Sequence, residues 1–184
     1  MGFIQKYLDD LVKGSLILLI GINIFNVLNY IFHFISARLL GPVDYGILAT
    51  LMSIVYIFAI PNEAIQTIVS RYSTKFNIKG EDGKIKNLIL KSLKRFLILG
   101  IFGALIFALL SPIIGKFLFI ETKLLIFTGV ILIGTFTLPI IRGTLQGTKK
   151  FTSLSLSYIS EGLIKVFLVI ILILGGWSIY GAIG

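Results

Sequence analysis

The sequence predicts an all-α membrane protein with about five transmembrane helices, and three observations carry that expectation. Of its 184 residues, 57% are hydrophobic and 14% are charged, with a mean hydropathy of +1.02. A water-soluble domain of this length needs a polar shell that such a composition cannot supply, whereas lipid removes the need for one. The apolar residues also come in long runs: neither Ser15 to Ala37 nor Phe96 to Gly115 contains a Lys, Arg, Asp or Glu. Finally, most of the net charge of +9 falls between such runs, where the sorting of basic residues to one side of a membrane puts it. That distribution argues against a nucleic-acid partner. Cysteine is absent, which excludes a disulfide framework, a thiolate metal site and a cysteine nucleophile.

Residues 1–14 place Phe3, Ile4, Tyr7, Leu8, Leu11 and Val12 at helical spacing opposite Lys6, Asp9, Asp10 and Lys13, which predicts an amphipathic helix at the membrane interface. The first span is expected over 15–37, since a crossing needs roughly 20 residues. Arg38 and the segment Leu40-Gly41-Pro42-Val43-Asp44-Tyr45-Gly46 break it, and a second span runs over 45–70 with an interruption at Pro61, Asn62 and Glu63. Residues 71–95 hold eight basic and two acidic residues around a Gly80-Glu81-Asp82-Gly83 turn, and are expected to form a basic cytoplasmic loop. Its end carries an apolar stripe of Ile85, Leu88, Ile89 and Leu93 leading into the third span, 96–115. The fourth span is 124–146, containing Pro139, and the fifth is 151–174, closed by Gly175 and Gly176. Residues 177–184 read as the start of a sixth helix. Gly143 and Gly147 form a GxxxG pair suited to close helix packing. With the N-terminus inside, thirteen Lys and Arg lie on the inner side against three on the outer, so the N-terminus is expected to be cytoplasmic.

Side chains that can carry chemistry inside the bilayer are few, because spanning helices satisfy their own backbone. Asn23, Asn26, Asn29 and His33 recur at spacings of three, three and four, and are expected to make one polar face, either for interhelical hydrogen bonds or for a hydrated cavity. Beside Pro61, Glu63 is either a coupling site for a proton or cation or an acid at the interface. Glu161 and Lys165 lie near the middle of the fifth span, where a charge costs roughly 2.5–3.5 kcal/mol. Their i, i+4 spacing predicts that they pair with each other, either in a functional site or as a structural pair. Arg142 reads as an interface anchor or as a contact for an anionic headgroup. A single histidine with no thiolates makes a metal site unexpected. The sequence has no phosphate-binding glycine loop, no nucleophile–base constellation and no paired carboxylates at useful spacing, so neither an enzyme nor a cofactor is expected.

The stretch Arg38-Leu39-Leu40-Gly41-Pro42-Val43-Asp44-Tyr45-Gly46, directly after a first apolar helix, resembles the polysaccharide transporter family, the Wzx-type oligosaccharide flippases. Arg142-Gly143-Thr144-Leu145-Gln146-Gly147 is similar to that family's end of helix four, and Trp177 to Gly184 to its entry into helix six. The resemblance implies a fold of two helical bundles, of which this chain holds most of one. It also implies that the chain is the N-terminal portion of a larger transporter, or that a partner chain supplies the rest. The implied activity is flipping of a polyprenyl-pyrophosphate-linked glycan across the cell membrane by alternating access. The Asn23 to His33 stripe would then meet sugar hydroxyls, while Lys165, Arg142 and Arg38 would meet phosphate. Two other readings compete: a cation-coupled multidrug-type exporter, which needs Glu63 to titrate, and a membrane subunit that packs against partner helices without transporting.

Overall fold

The computed structural model describes residues 2–57 and 59–183, with side chains from residue 12 onward except at 59, 60, 177–179 and 183. The elements are α1 (Gly2–Ile57), α2 (Ala59–Ile78), α3 (Asp82–Leu118), α4 (Thr122–Thr135), α5 (Leu138–Gly147) and α6 (Phe151–Leu172). A π-helical turn (Ile173–Trp177) and a short α7 (Ser178–Ile183) follow. The chain is an all-α membrane protein. Among the described residues, four stretches are long and apolar enough to cross a membrane: Val12–Ile57, Asp82–Leu118, Thr122–Gly147 and Phe151–Gly176. The outer faces agree with that reading. Leu105, Leu109, Ile113 and Phe117, one turn apart on α3, are 59–82% exposed, an apolar stripe that lipid would cover.

α1 is a helix with a break built in. Gly41 has φ 76° and ψ 176°, a region essentially reserved for glycine, and Pro42 follows it without a backbone donor. At 46 residues, Val12–Ile57 exceeds the roughly 20 needed for one crossing, so the kink divides it into two arms. The expected second span, 45–70, is therefore shared between the second arm of α1 and the start of α2. The N-terminal segment is continuous with α1, and the side chains of its expected amphipathic faces up to Leu11 lie outside the described residues.

The expected basic loop over 71–95 is not a loop. α2 continues to Ile78 and α3 begins at Asp82, leaving a turn of three residues with Gly80 at φ 68°. The charged residues suggested irregular structure, but Lys and Arg are good helix formers once they face water. Ile85, Leu88, Leu93 and Phe96 supply the inward stripe, the last three packing on the buried Ile65, Val69 and Ile140 of α2 and α5. At the turn, the Lys84 ammonium donates to the Glu81 carboxylate at 2.8 Å, and that hydrogen bond holds the carboxyl below its usual range.

The helices then associate in pairs: α1 lies along α6, α2 along α5, and α3 along α4. The main core is built from α1, α4 and α6, with Phe32, Leu48, Leu51, Leu125, Leu132 and Val169 almost fully buried. α3 and α4 form a hairpin through the left-handed Phe119, whose N–H donates to the Gly115 carbonyl. The α2–α5 pair approaches closely. A Cβ on Gly143 would lie 2.6 Å from the Gln66 carbonyl oxygen, and one on Gly147 would overlap that of Ser70. The GxxxG pair thus brings two backbones into contact, as small residues do between membrane helices.

Candidate functional site

Three helices present polar residues one turn apart toward each other. On α5 these are Arg142 and Gln146, on α6 Glu161 and Lys165, and on α1 Asn29 and His33, each pair at i, i+4 and so on one face. Their contacts run in a sequence. Gln66 of α2 donates to the Gln146 side-chain oxygen at 3.1 Å. One turn away, Arg142 forms an ion pair with Glu161. One turn farther along α6, Lys165 Nζ lies 3.5 Å from the Asn29 side-chain oxygen. One turn farther along α1, His33 Nδ1 is 3.3 Å from the Tyr45 hydroxyl, just past the Gly41 kink. The result is a polar ladder that climbs through the helix packing in steps of about 6 Å.

Its centre is Arg142. The residue is 9% exposed, its guanidinium sits 3.9 Å from the centroid of the Tyr158 ring, and it reaches both the hydroxyl and the carbonyl of Ser157 at 3.4 Å. Burying a charge at this depth is costly unless an opposite charge and hydrogen bonds offset it. Glu161 supplies the charge, Ser157 the hydrogen bonds and Tyr158 a ring face, all from one side of α6. Arg142 is therefore not an interface anchor. It points into the bundle.

The expected Glu161–Lys165 pair is corrected as well. Along one helix their i, i+4 spacing permits pairing, but α5 brings a guanidinium to Glu161 from across the bundle, and the carboxylate takes it. Lys165 is left with Asn29 and with the Phe32 ring, 5.5 Å from its centroid.

The expected polar face of α1 is likewise divided. A step of three residues falls about 60° short of a full turn. Asn23 and Asn29 are thus about 120° apart, whereas the step of four from Asn29 to His33 keeps one face. Asn23 and Asn26 are exposed, and the Asn23 amide donates to its own helix at Leu19 O, 2.8 Å. Asn29 and His33 are half-buried in the ladder. Glu63 and Arg38 are exposed and stand outside it. Of the remaining Gly41-to-Gly46 residues, Tyr45 joins the ladder, Gly41 makes the kink, Pro42 is exposed, Asp44 is half-buried, and the Gly46 carbonyl accepts from Thr50. Ser157, Tyr158 and the Gln66–Gln146 contact did not emerge from the sequence reading. Their signal was spacing: Ser157 and Tyr158 stand four and three residues before Glu161, and Gln146 four after Arg142. Among the described residues, no three His, Cys, Asp or Glu side chains gather at one place.

A comparison with family models matches residues 11–184 to the polysaccharide biosynthesis protein family. The chain belongs to this family. Membership, with the membrane-spanning helices, makes it a multi-pass membrane protein and a polysaccharide transporter in the general sense, within a family of transporters rather than enzymes. Searches of curated proteins and of solved structures gave no match. In this family member the ladder contains both of the Lys and Arg side chains that the helix packing covers among the described residues, Arg142 and Lys165.

Proposed function

We propose that this chain takes part in flipping a lipid-linked oligosaccharide across the cell membrane by alternating access, with its N-terminus in the cytoplasm. The observation that supports this reading most is the ladder: two cations, a carboxylate and three amide-bearing side chains within the helix packing of a polysaccharide transporter. A polyprenyl-pyrophosphate-linked glycan has an anionic diphosphate beside a hydroxyl-rich sugar, and both need polar partners where lipid offers none. Lys165 is the better first contact for phosphate, because its ammonium has no carboxylate within ion-pair distance among the described residues. Arg142 becomes available when the anionic substrate competes with Glu161, and its fork of donors suits a phosphate. Asn29 and the Gln66–Gln146 pair offer amides to the sugar.

The test is glycan export in the native host carrying Lys165→Ala or Arg142→Ala in the chromosomal copy, with the amount of membrane-inserted protein measured in parallel. Each variant should lower export at least about tenfold at equal protein level, the loss expected for a charge-assisted phosphate contact worth about 1.5–3 kcal/mol. Unchanged export in both would remove the ladder from the transport mechanism.

A further inference from the structure

A face of α1 beside the ladder carries polar groups that lipid does not suit. The uncharged run from Ser15 to Ala37 gives about 34 Å of helix, enough for a hydrocarbon core of roughly 30 Å, and Asn26 is its middle residue. Asn26 is exposed, and its side chain makes no hydrogen bond among the described residues. An asparagine is too short to reach either end of the run from there, and an amide left bare in hydrocarbon is strongly unfavourable. Four residues on, Tyr30 shares that face and is 71% exposed. In helical projection Asn26 lies about 20° from His33 and about 60° from Asn29, with Tyr30 about 40° farther round. The two residues therefore border the ladder on its open side. α6 packs on another face of α1, where Gly162 meets Phe25 and Leu28.

A second helix is as poor a cover for this face as lipid. Helices meet in membranes where small residues let backbones approach. The glycines of this arm, Gly14 and Gly21, are already taken, since a Cβ on either would overlap Phe151 or Ser155 of α6. The open face instead presents Asn23, Asn26, Tyr30 and Phe34, all large and exposed. It suits water and a flexible ligand. With no charged side chain between Ser15 and Ala37, that ligand is neutral at this point; it carries hydroxyls or amides for Asn26 and an apolar flank for the Tyr30 ring. A pyranose has all of these, because its hydroxyls bond to amides while the C–H bonds of one ring face rest on the negative face of an aromatic.

We propose that Asn26 and Tyr30 form a sugar-binding wall of the translocation path, Tyr30 stacking on a sugar ring and Asn26 hydrogen-bonding to its hydroxyls. The identity of the ligand rests on the transport reading above, and the contact is one the ladder does not make. Two measurements test it, both with the amount of inserted protein read in parallel. In permeabilised membranes, Asn26→Cys and Tyr30→Cys should react with a charged maleimide at least about tenfold faster than Leu109→Cys on the outer stripe of α3, because the thiolate forms only where water reaches. Rates equal to that of Leu109→Cys would put the face against lipid or another protein and overturn the wall. In glycan export, Tyr30→Leu and Asn26→Leu should each cost about fivefold, whereas Tyr30→Phe, which keeps the ring, should stay within about twofold of wild type. Equal losses in Tyr30→Phe and Tyr30→Leu would overturn the stacking. Unchanged export in Tyr30→Leu and Asn26→Leu, beside a loss in Lys165→Ala, would overturn the wall and leave the transport reading standing. Unchanged export in all of these, with Arg142→Ala, would overturn both.

Discussion

Glu161 is flanked by two cations and paired with one of them. The choice follows from geometry: a guanidinium delivered from α5 donates to Glu161 while also reaching Ser157 and stacking on Tyr158, whereas Lys165 would have to bend back along its own helix. Removing one partner strands the other, so Arg142→Gln should destabilise the protein by about 2–4 kcal/mol, read as a fall in thermal unfolding temperature in detergent. The value sits below the upper end for such pairs because 31% of the Glu161 side chain remains exposed. Adding Glu161→Gln to Arg142→Gln should recover at least half of the loss. A double variant no better than the single one would show that the two residues are not energetically coupled. The asparagines offer a second contrast. Asn23→Leu should change stability by less than about 0.5 kcal/mol, since its amide only returns to its own helix and its position is exposed. Asn29→Leu removes the oxygen next to Lys165 and should cost about 1–2 kcal/mol in the same assay. Equal effects would contradict the division of the α1 polar residues described above.

Two glycine features decide how the helices are placed. At Gly41, φ 76° with ψ 176° disfavours any side chain, so Gly41→Ala should cost about 1–3 kcal/mol although nothing lies within 4 Å of a Cβ there. The cost is conformational, and thermal unfolding of the variant against wild type measures it. Gly143 and Gly147 act through space rather than through torsion, since the Gln66 and Ser70 backbones leave no room for a side chain. Gly147→Leu should force α5 from α2, breaking both the Thr74 contact and the register that aligns Gln66 with Gln146. A cysteine cross-link between Gln66→Cys and Gln146→Cys in the cysteine-free chain should form readily with Gly147 intact and poorly with leucine there. Cross-linking of equal yield would show that the glycine does not set the approach.

The absence of native cysteine also makes the topology directly testable. In intact cells, a single cysteine at Gly83 should be protected from a membrane-impermeant maleimide, and one at Lys123 should be labelled. That outcome follows from the charges outside the bundle, twelve Lys and Arg on one side against three on the other once Arg142 is counted within the helix packing. The reverse pattern would invert the orientation. Much of the architecture was legible beforehand. Hydropathy and charge spacing predicted an all-α membrane protein, and Gly41-Pro42 marked the break in α1. The Arg38-to-Gly46 stretch resembled the family to which the chain belongs. The helical character of 71–95 was missed because a run of charge resembles a loop until an apolar stripe finds a partner, and here Leu88, Leu93 and Phe96 find α2 and α5.

What the amino-acid order determined by itself were properties of one segment at a time: which stretches are apolar enough to cross, where glycine and proline interrupt them, and which polar residues share a turn. The tertiary structure decided which of those polar residues meet. Glu161 had Lys165 within reach on its own helix, yet Arg142 crosses to it from α5; Asn29, rather than Asn23, meets Lys165. The physical reason is that partner choice in the bilayer depends on rotation and depth between helices. Those are set by how closely Gly143 and Gly147 let α5 approach α2, and by how α1 lies against α6, neither of which is encoded in the spacing along a single helix.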